Sequence, residues 1–137
     1  MCISNYLRKK ILDLSLGAQA FSFPGTVYLA LYTVAPNASG GGSEVSGNAY
    51  ARVAVTNNNT NWPDSVLGTG EKYLGVAQSF TTATGGGWGS IVAVGIFDAA
   101  SNGNLLYYGS LTTPVSIGAG DIFRFPSGSA GLKITLE

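Results

Sequence analysis

From Thr26 onward the apolar residues recur at every second position, and Gly, Pro or Asn breaks each run after a few residues. That pattern confines most of the chain to short antiparallel strands, because a period of two cannot present one apolar face on a helix. In the first run Val27, Leu29 and Leu31 point one way while Tyr28, Ala30 and Tyr32 point the other. Further strand-like runs are Ala49 to Thr56, Val76 to Thr82, Ser90 to Asp98, Asn104 to Thr112, Asp121 to Phe125 and Leu132 to Leu136. In the last, Leu132, Ile134 and Leu136 are expected inside, with Lys133, Thr135 and Glu137 outside. Asn102-Gly103 supplies two residues suited to positive φ, which makes Asp98 to Thr112 a two-stranded hairpin. Residues 57–75 form a long connection with little periodicity.

Only residues 4–16 carry a helical period. Tyr6, Leu7, Ile11 and Leu14, with the flanking Ile3, fall at spacings of three and four. Ser4 or Asn5 is the expected cap, and Gly17 stands where a left-handed C′ residue belongs. Leu7, Ile11 and Leu14 are its expected docking face. A helix this short needs something to dock on, either its own domain or a neighbouring subunit. The organisation read from the sequence is therefore mainly β: one domain over 1–137, with helix and arm in 1–22 and an antiparallel β-sandwich in 23–137.

Composition then removes whole classes of function. Seven Lys and Arg balance seven Asp and Glu, and 10% of residues are charged, against about 25% in an average domain. A neutral chain lacks the positive surplus that a nucleic-acid clamp needs. So little surface charge also suggests that a partner covers part of the surface. Histidine is absent, which excludes Ser-His-Asp, Cys-His and His-ligated zinc chemistry. Cys2 is the only cysteine, in keeping with a reducing cytoplasm. No apolar run is long enough to span a bilayer. Asp13 and Ser15 interrupt the apolar residues after Arg8-Lys9-Lys10, so no signal peptide is read there. The sequons at Asn37 and Asn58 are then chance matches in Asn-rich loops.

The chemistry-bearing residues are few. Gly40-Gly41-Gly42 and Gly85-Gly86-Gly87 precede neither Lys-Ser/Thr nor a helix, so neither is a phosphate cradle. Asp98 and Asp121 border turns and are expected to bond to backbone N–H groups there. Arg52 and Arg124 lie inside strand-like runs, where the alternatives are solvent or a structural pair with Glu44, Asp98 or Asp121. Most aromatic residues lie in strands and suit a core. Trp62 and Trp88 instead lie in Gly-, Asn- and Pro-rich loops, as interface anchors or as plugs of the sandwich ends. No cofactor and no metal site is expected.

The order of motifs is similar to that of a known group. Ser4-Asn5-Tyr6-Leu7 leads to Thr26-Val27-Tyr28-Leu29-Ala30-Leu31-Tyr32-Thr33, then Glu44-Val45-Ser46-Gly47 and Ala49-Tyr50-Ala51-Arg52. Val94-Gly95-Ile96-Phe97-Asp98-Ala99, Asn104-Leu105-Leu106-Tyr107-Tyr108-Gly109, Gly120-Asp121 and Leu132-Lys133-Ile134-Thr135-Leu136 follow. This string resembles the small capsid cement (decoration) proteins of tailed bacteriophages, some of whose relatives are labelled tail-fibre proteins. The resemblance implies a jelly-roll β-sandwich without catalytic residues. It would be made in the host cytoplasm and carried on the virion's capsid surface, binding the major capsid protein and itself, as a dimer rather than a trimer. Trp62, Trp88, Leu7, Ile11 and Leu14 are the interface residues proposed on that reading. The alternative is a receptor- or glycan-binding module of a tail fibre, with Trp62, Trp88 and nearby Asn side chains around a sugar. A carbohydrate-active enzyme is a weaker third, since the spacing of the acids does not support it.

Overall fold

The computed structural model describes residues 1–65, 68–128 and 131–135. In chain order the elements are β1 (Cys2–Ile3), α1 (Asn5–Ser15), β2 (Thr26–Val34), β3 (Ser43–Glu44), β4 (Val53–Thr56), β5 (Glu71–Tyr73), β6 (Gln78–Ser79), β7 (Gly89–Phe97), β8 (Leu105–Ile117), β9 (Arg124–Phe125) and β10 (Lys133–Thr135). A six-stranded sheet runs β1-β8-β7-β2-β3, with β4 also paired to β2. Its pairings are all antiparallel. Two short antiparallel ladders, β10-β5 and β6-β9, stand apart from it. The chain is thus an antiparallel β-sandwich with one helix, as its alternation predicts. The second layer is two ladders rather than one broad sheet, because Gly, Asn and Pro interrupt those segments every few residues.

The main core holds Val27, Leu29 and Leu31 of β2 with Ile91, Val94 and Ile96 of β7 and Leu106 of β8. Phe80, Phe123 and Phe125 pack into the same core from the β6-β9 side. A second, smaller cluster forms on the opposite face of the large sheet: Ala30, Tyr32, Ala93, Phe97 and Leu105. Leu132 and Ile134 are buried and Lys133 is exposed, which follows the expected alternation; Leu136 and Glu137 lie outside the described residues.

Several strands depart from their expected lengths. The run from Ala49 yields only Val53–Thr56, since Asn48 and Ala49 have φ of 50° and 66°, outside the extended range. Strand β8 instead runs on to Ile117. Its register moves from Ala93↔Ser110 to Ile91↔Val115, so residues 111–114 bulge opposite Val92. Pro114 sits in that bulge, where a missing N–H interrupts no ladder bond. The hairpin forms between β7 and β8, and Asn102 and Gly103 adopt φ of 53° and 73°. It closes more widely than a two-residue turn, because Asp98 N donates to Asn104 O (3.2 Å) and the Asp98 carboxylate accepts from Asn104 N and Nδ2.

Ser4 joins the helix to the sheet. Its Oγ accepts from Leu7 N (3.1 Å) as the N-cap and donates to Leu105 O (2.5 Å). Its own N–H donates to Leu106 O (2.9 Å). Leu7 is driven fully into the core, and Ile11 packs partly against it. Leu14 was expected on the docking face, but it is 41% exposed, beside exposed Leu12 and Leu16. The helix is pinned at its N-terminal end, so its last turn has left the core that Leu7 enters. We predict that Ser4→Ala lowers unfolding free energy by about 2 kcal/mol, from a lost cap and an orphaned Leu105 carbonyl. Leu14→Ser should change it by less than about 0.5 kcal/mol, both read as a shift in urea midpoint at unchanged slope.

Candidate functional site

Both tryptophans fold into the chain's own core. Trp88 is 5% exposed, set edge-on against Tyr50 (5.3 Å between centroids), and its Nε1 donates to Asn48 O (2.9 Å). Gly87 makes this fit possible: it has φ of 79°, and a Cβ there would lie 2.4 Å from Ile117 O. Trp62 is 6% exposed, and its Nε1 is buried without a partner. This corrects the expectation that Trp62 and Trp88 anchor a partner from the surface of the folded chain. Flexible Gly- and Pro-rich loops let large rings turn inward, where each buries far more apolar area than a loop surface offers. Leu7 likewise belongs to the core, Ile11 is half-buried, and of the proposed interface residues only Leu14 is exposed.

The acids serve structure. Asp98 holds Asn104 as described, and Asp121 Oδ2 accepts from Gly118 N (2.8 Å). Glu44 takes Arg52 in a two-pronged pair, Nε to Oε1 and Nη2 to Oε2, both at 2.8 Å. The remaining guanidinium donor, Nη1, bonds Ala99 O (2.8 Å) and Asn102 O (2.9 Å), tying β4 to the hairpin tip. The guanidinium also lies 3.7 Å from the centre of the Phe97 ring. Burial opposes the Arg52 charge, but the hydrogen bonds and charge of Glu44 more than offset this and raise its pKa. Tyr50 Oη donates to Glu44 Oε1 (2.9 Å) and accepts from Leu31 N (3.0 Å). Burial, then the nearby Glu44 charge, pushes the Tyr32 phenol up to about 12, although Arg52 pulls the other way. Burial raises Tyr50 further still. Of the alternatives open to the two arginines, Arg52 takes the structural pair, with Glu44 out of Glu44, Asp98 and Asp121, and Arg124 is exposed.

Beside this cluster, on the same face of the sheet, lies a cleft of about 530 Å³. Tyr32 of β2 and Phe97 of β7 line its base. Asn5 and Tyr6 at the start of α1, Ser39 and Gly41 of the following turn, and Asn104 of the hairpin line its sides. Gly95 lets the base close up, because a Cβ there would meet Tyr32 Cε2 and Leu105 Cδ1 at 3.0 Å. The walls are braced by Asn5 N to Ala38 O (2.8 Å) and Asn5 Nδ2 to Ser39 Oγ (3.0 Å). Among the described residues the Tyr32 hydroxyl has no hydrogen-bond partner, and no Lys, Arg, Asp or Glu lines the cleft. Sequence reasoning missed this cleft. Tyr32 and Phe97 alternate like core residues and Tyr6 fits the helical period, and only the fold brings them together.

A second cavity of about 500 Å³ lies at the main core, lined by Phe23, Val27, Trp62, Leu106 and Tyr107, with Lys72 and Asn57 also at its wall.

The raised tyrosines set a pH dependence. The fold favours the neutral phenol, so stability is complete below the ordinary tyrosine value of 10.0 and falls as pH climbs from there through about 12. Urea unfolding between pH 8 and 12 should follow that decline. Tyr32→Phe removes no protein hydrogen bond, so stability at pH 7 should stay within about 0.5 kcal/mol of the parent. Its alkaline decline should be shallower.

No curated protein matches the chain. A family model described as podophage GP4 fiber I protein gp80 matches residues 2–133, which takes in β1, α1 and every strand up to the start of β10. With nearly its whole length matched, the chain belongs to the family of the podophage GP4 fiber I protein gp80, a family of phage structural proteins of fibre type.

Proposed function

We propose that the chain is a non-catalytic subunit of a tailed-phage fibre and that it works by binding at the host surface. The observation that carries this reading is the family match over residues 2–133, which is to a fibre protein. The disposition of the acids supports binding over catalysis. Asp98 and Asp121 cap turns, Glu44 holds Arg52, Asp13 pairs with Lys9, and Glu71 bonds Tyr73 and Lys133. Acid–base hydrolysis needs two carboxylates facing one cleft, and these are committed elsewhere. Cementing of neighbouring major capsid protein subunits, which the sequence resemblance implied, has no comparable support, so the fibre alternative leads. The reading includes self-association through the end of α1, where Leu12, Leu14 and Leu16 are exposed in one turn.

Placement is read directly from virions labelled with gold-conjugated antibody against this chain. Label confined to the fibres at the tail, in a small copy number by quantitative gel, is the expected result. Label spread evenly over the capsid would overturn the fibre assignment in favour of cementing.

A further inference from the structure

We propose that the cavity beside Trp62 binds a monomeric fatty-acid-type carboxylate, with the alkyl chain inside and the head group on Lys72. The inference goes beyond the fibre reading and does not depend on it. The cavity measures about 500 Å³, within the roughly 300–1,000 Å³ of small-ligand sites. Val27, Leu106, Ile134 and the Trp62 ring form its apolar wall, and all four residues are more than nine-tenths buried. Water against such a wall finds few hydrogen-bond partners, whereas an alkyl chain gains apolar contact there. No hydrogen bond fixes the indole, because Trp62 Nε1 is buried without a partner. Packing alone holds this part of the wall, so the ring can shift to fit a chain.

The β10-β5 ladder gives the cavity its sign. Lys72 is paired across it with Ile134, and both line the cavity. Successive side chains alternate in direction, so Glu71 and Tyr73 stand on the opposite face with Thr135 and Lys133. There the Glu71 carboxylate is spent, accepting from Lys133 Nζ (3.3 Å) and Tyr73 Oη (2.7 Å). Lys72 is left without a hydrogen bond or ion pair among the described residues, none of which brings an Asp or Glu to the cavity wall. A half-buried lysine keeps its stem along apolar surface and its ammonium at the water's edge, where a carboxylate head would sit. Tyr107, also half-buried in the wall, offers its hydroxyl as a second donor, since it bonds to no described residue. A cationic head would meet Lys72 as a like charge, and a polyol would lose its water against the apolar wall.

The test is a titration of the full ¹⁵N-labelled chain followed by NMR of its amides and of the Trp62 indole N–H. The probes are hexanoate, octanoate and decanoate, with 1-octanol, octylammonium and phosphatidylglycerol vesicles for comparison. The carboxylates should give saturable shifts centred on Trp62, Lys72, Leu106, Tyr107 and Ile134. Their affinity should rise about fourfold for each added methylene that the cavity takes in. Octanol should bind more weakly than octanoate, and octylammonium more weakly still. Lys72→Gln should weaken octanoate roughly fivefold and leave octanol unchanged, with the spectrum of the unliganded chain otherwise preserved. Tyr107→Phe should likewise weaken octanoate. No saturable shift with any carboxylate, shifts centred elsewhere, or an equal loss of octanoate and octanol in Lys72→Gln would each overturn the inference. Co-sedimentation with the vesicles by a chain that ignores octanoate would overturn it in favour of a membrane surface.

Discussion

Strand β2 must be covered on both faces, and the rest of the molecule follows from how that is done. Leu29, Ala30 and Leu31 are all fully buried, although successive side chains point to opposite sides of the sheet. On one side the cover is generous: α1 through Leu7, both indoles, and the phenylalanines of the β6-β9 ladder. On the other side it is thin. Leu105, the ring of Phe97 and the Arg52 guanidinium laid on that ring do most of it, with Tyr28, Val92 and Tyr108 partly buried around them. The cleft exists where that thin cover stops.

Charge is used sparingly and for the same end. Arg52 is placed so that each of its three guanidinium nitrogens is hydrogen-bonded while its plane shields Phe97, and it joins Glu44, β4 and the hairpin tip in one unit. Breaking a pair this enclosed would strand a charge against an aromatic face, which is why the cluster reads as architecture and not as chemistry. Ser4 plays the corresponding part at the other wall. A single hydroxyl caps α1 and ties it to Leu105, and this brings Asn5 and Tyr6 to the edge of the cleft.

Much of this was legible in the residues themselves. The alternation of Leu132 and Ile134, the positive φ of Asn102-Gly103 and a cap at Ser4 or Asn5 depend on local chemistry that the sequence carries, whereas Glu44 was one of three partners open to Arg52. What depended on long-range placement was not. Trp62 and Trp88 read as interface anchors or as plugs of the sandwich ends because their neighbours are Gly, Asn and Pro, and those same neighbours give the loops freedom to fold the rings inward. Leu14 obeys the helical period but lies beyond the stretch that Ser4 pins down. The cleft was invisible, since Asn5, Tyr32 and Asn104 are far apart in the chain and meet only through the order β8-β7-β2.

We propose that the chain works by binding at the host surface, and phage adsorption in the presence of free chain measures this. Added folded protein should slow adsorption to host cells in proportion to its concentration, and an equal amount of urea-unfolded chain should leave the rate at that of untreated phage. Adsorption unaffected by the folded protein, or slowed equally by both, would contradict it.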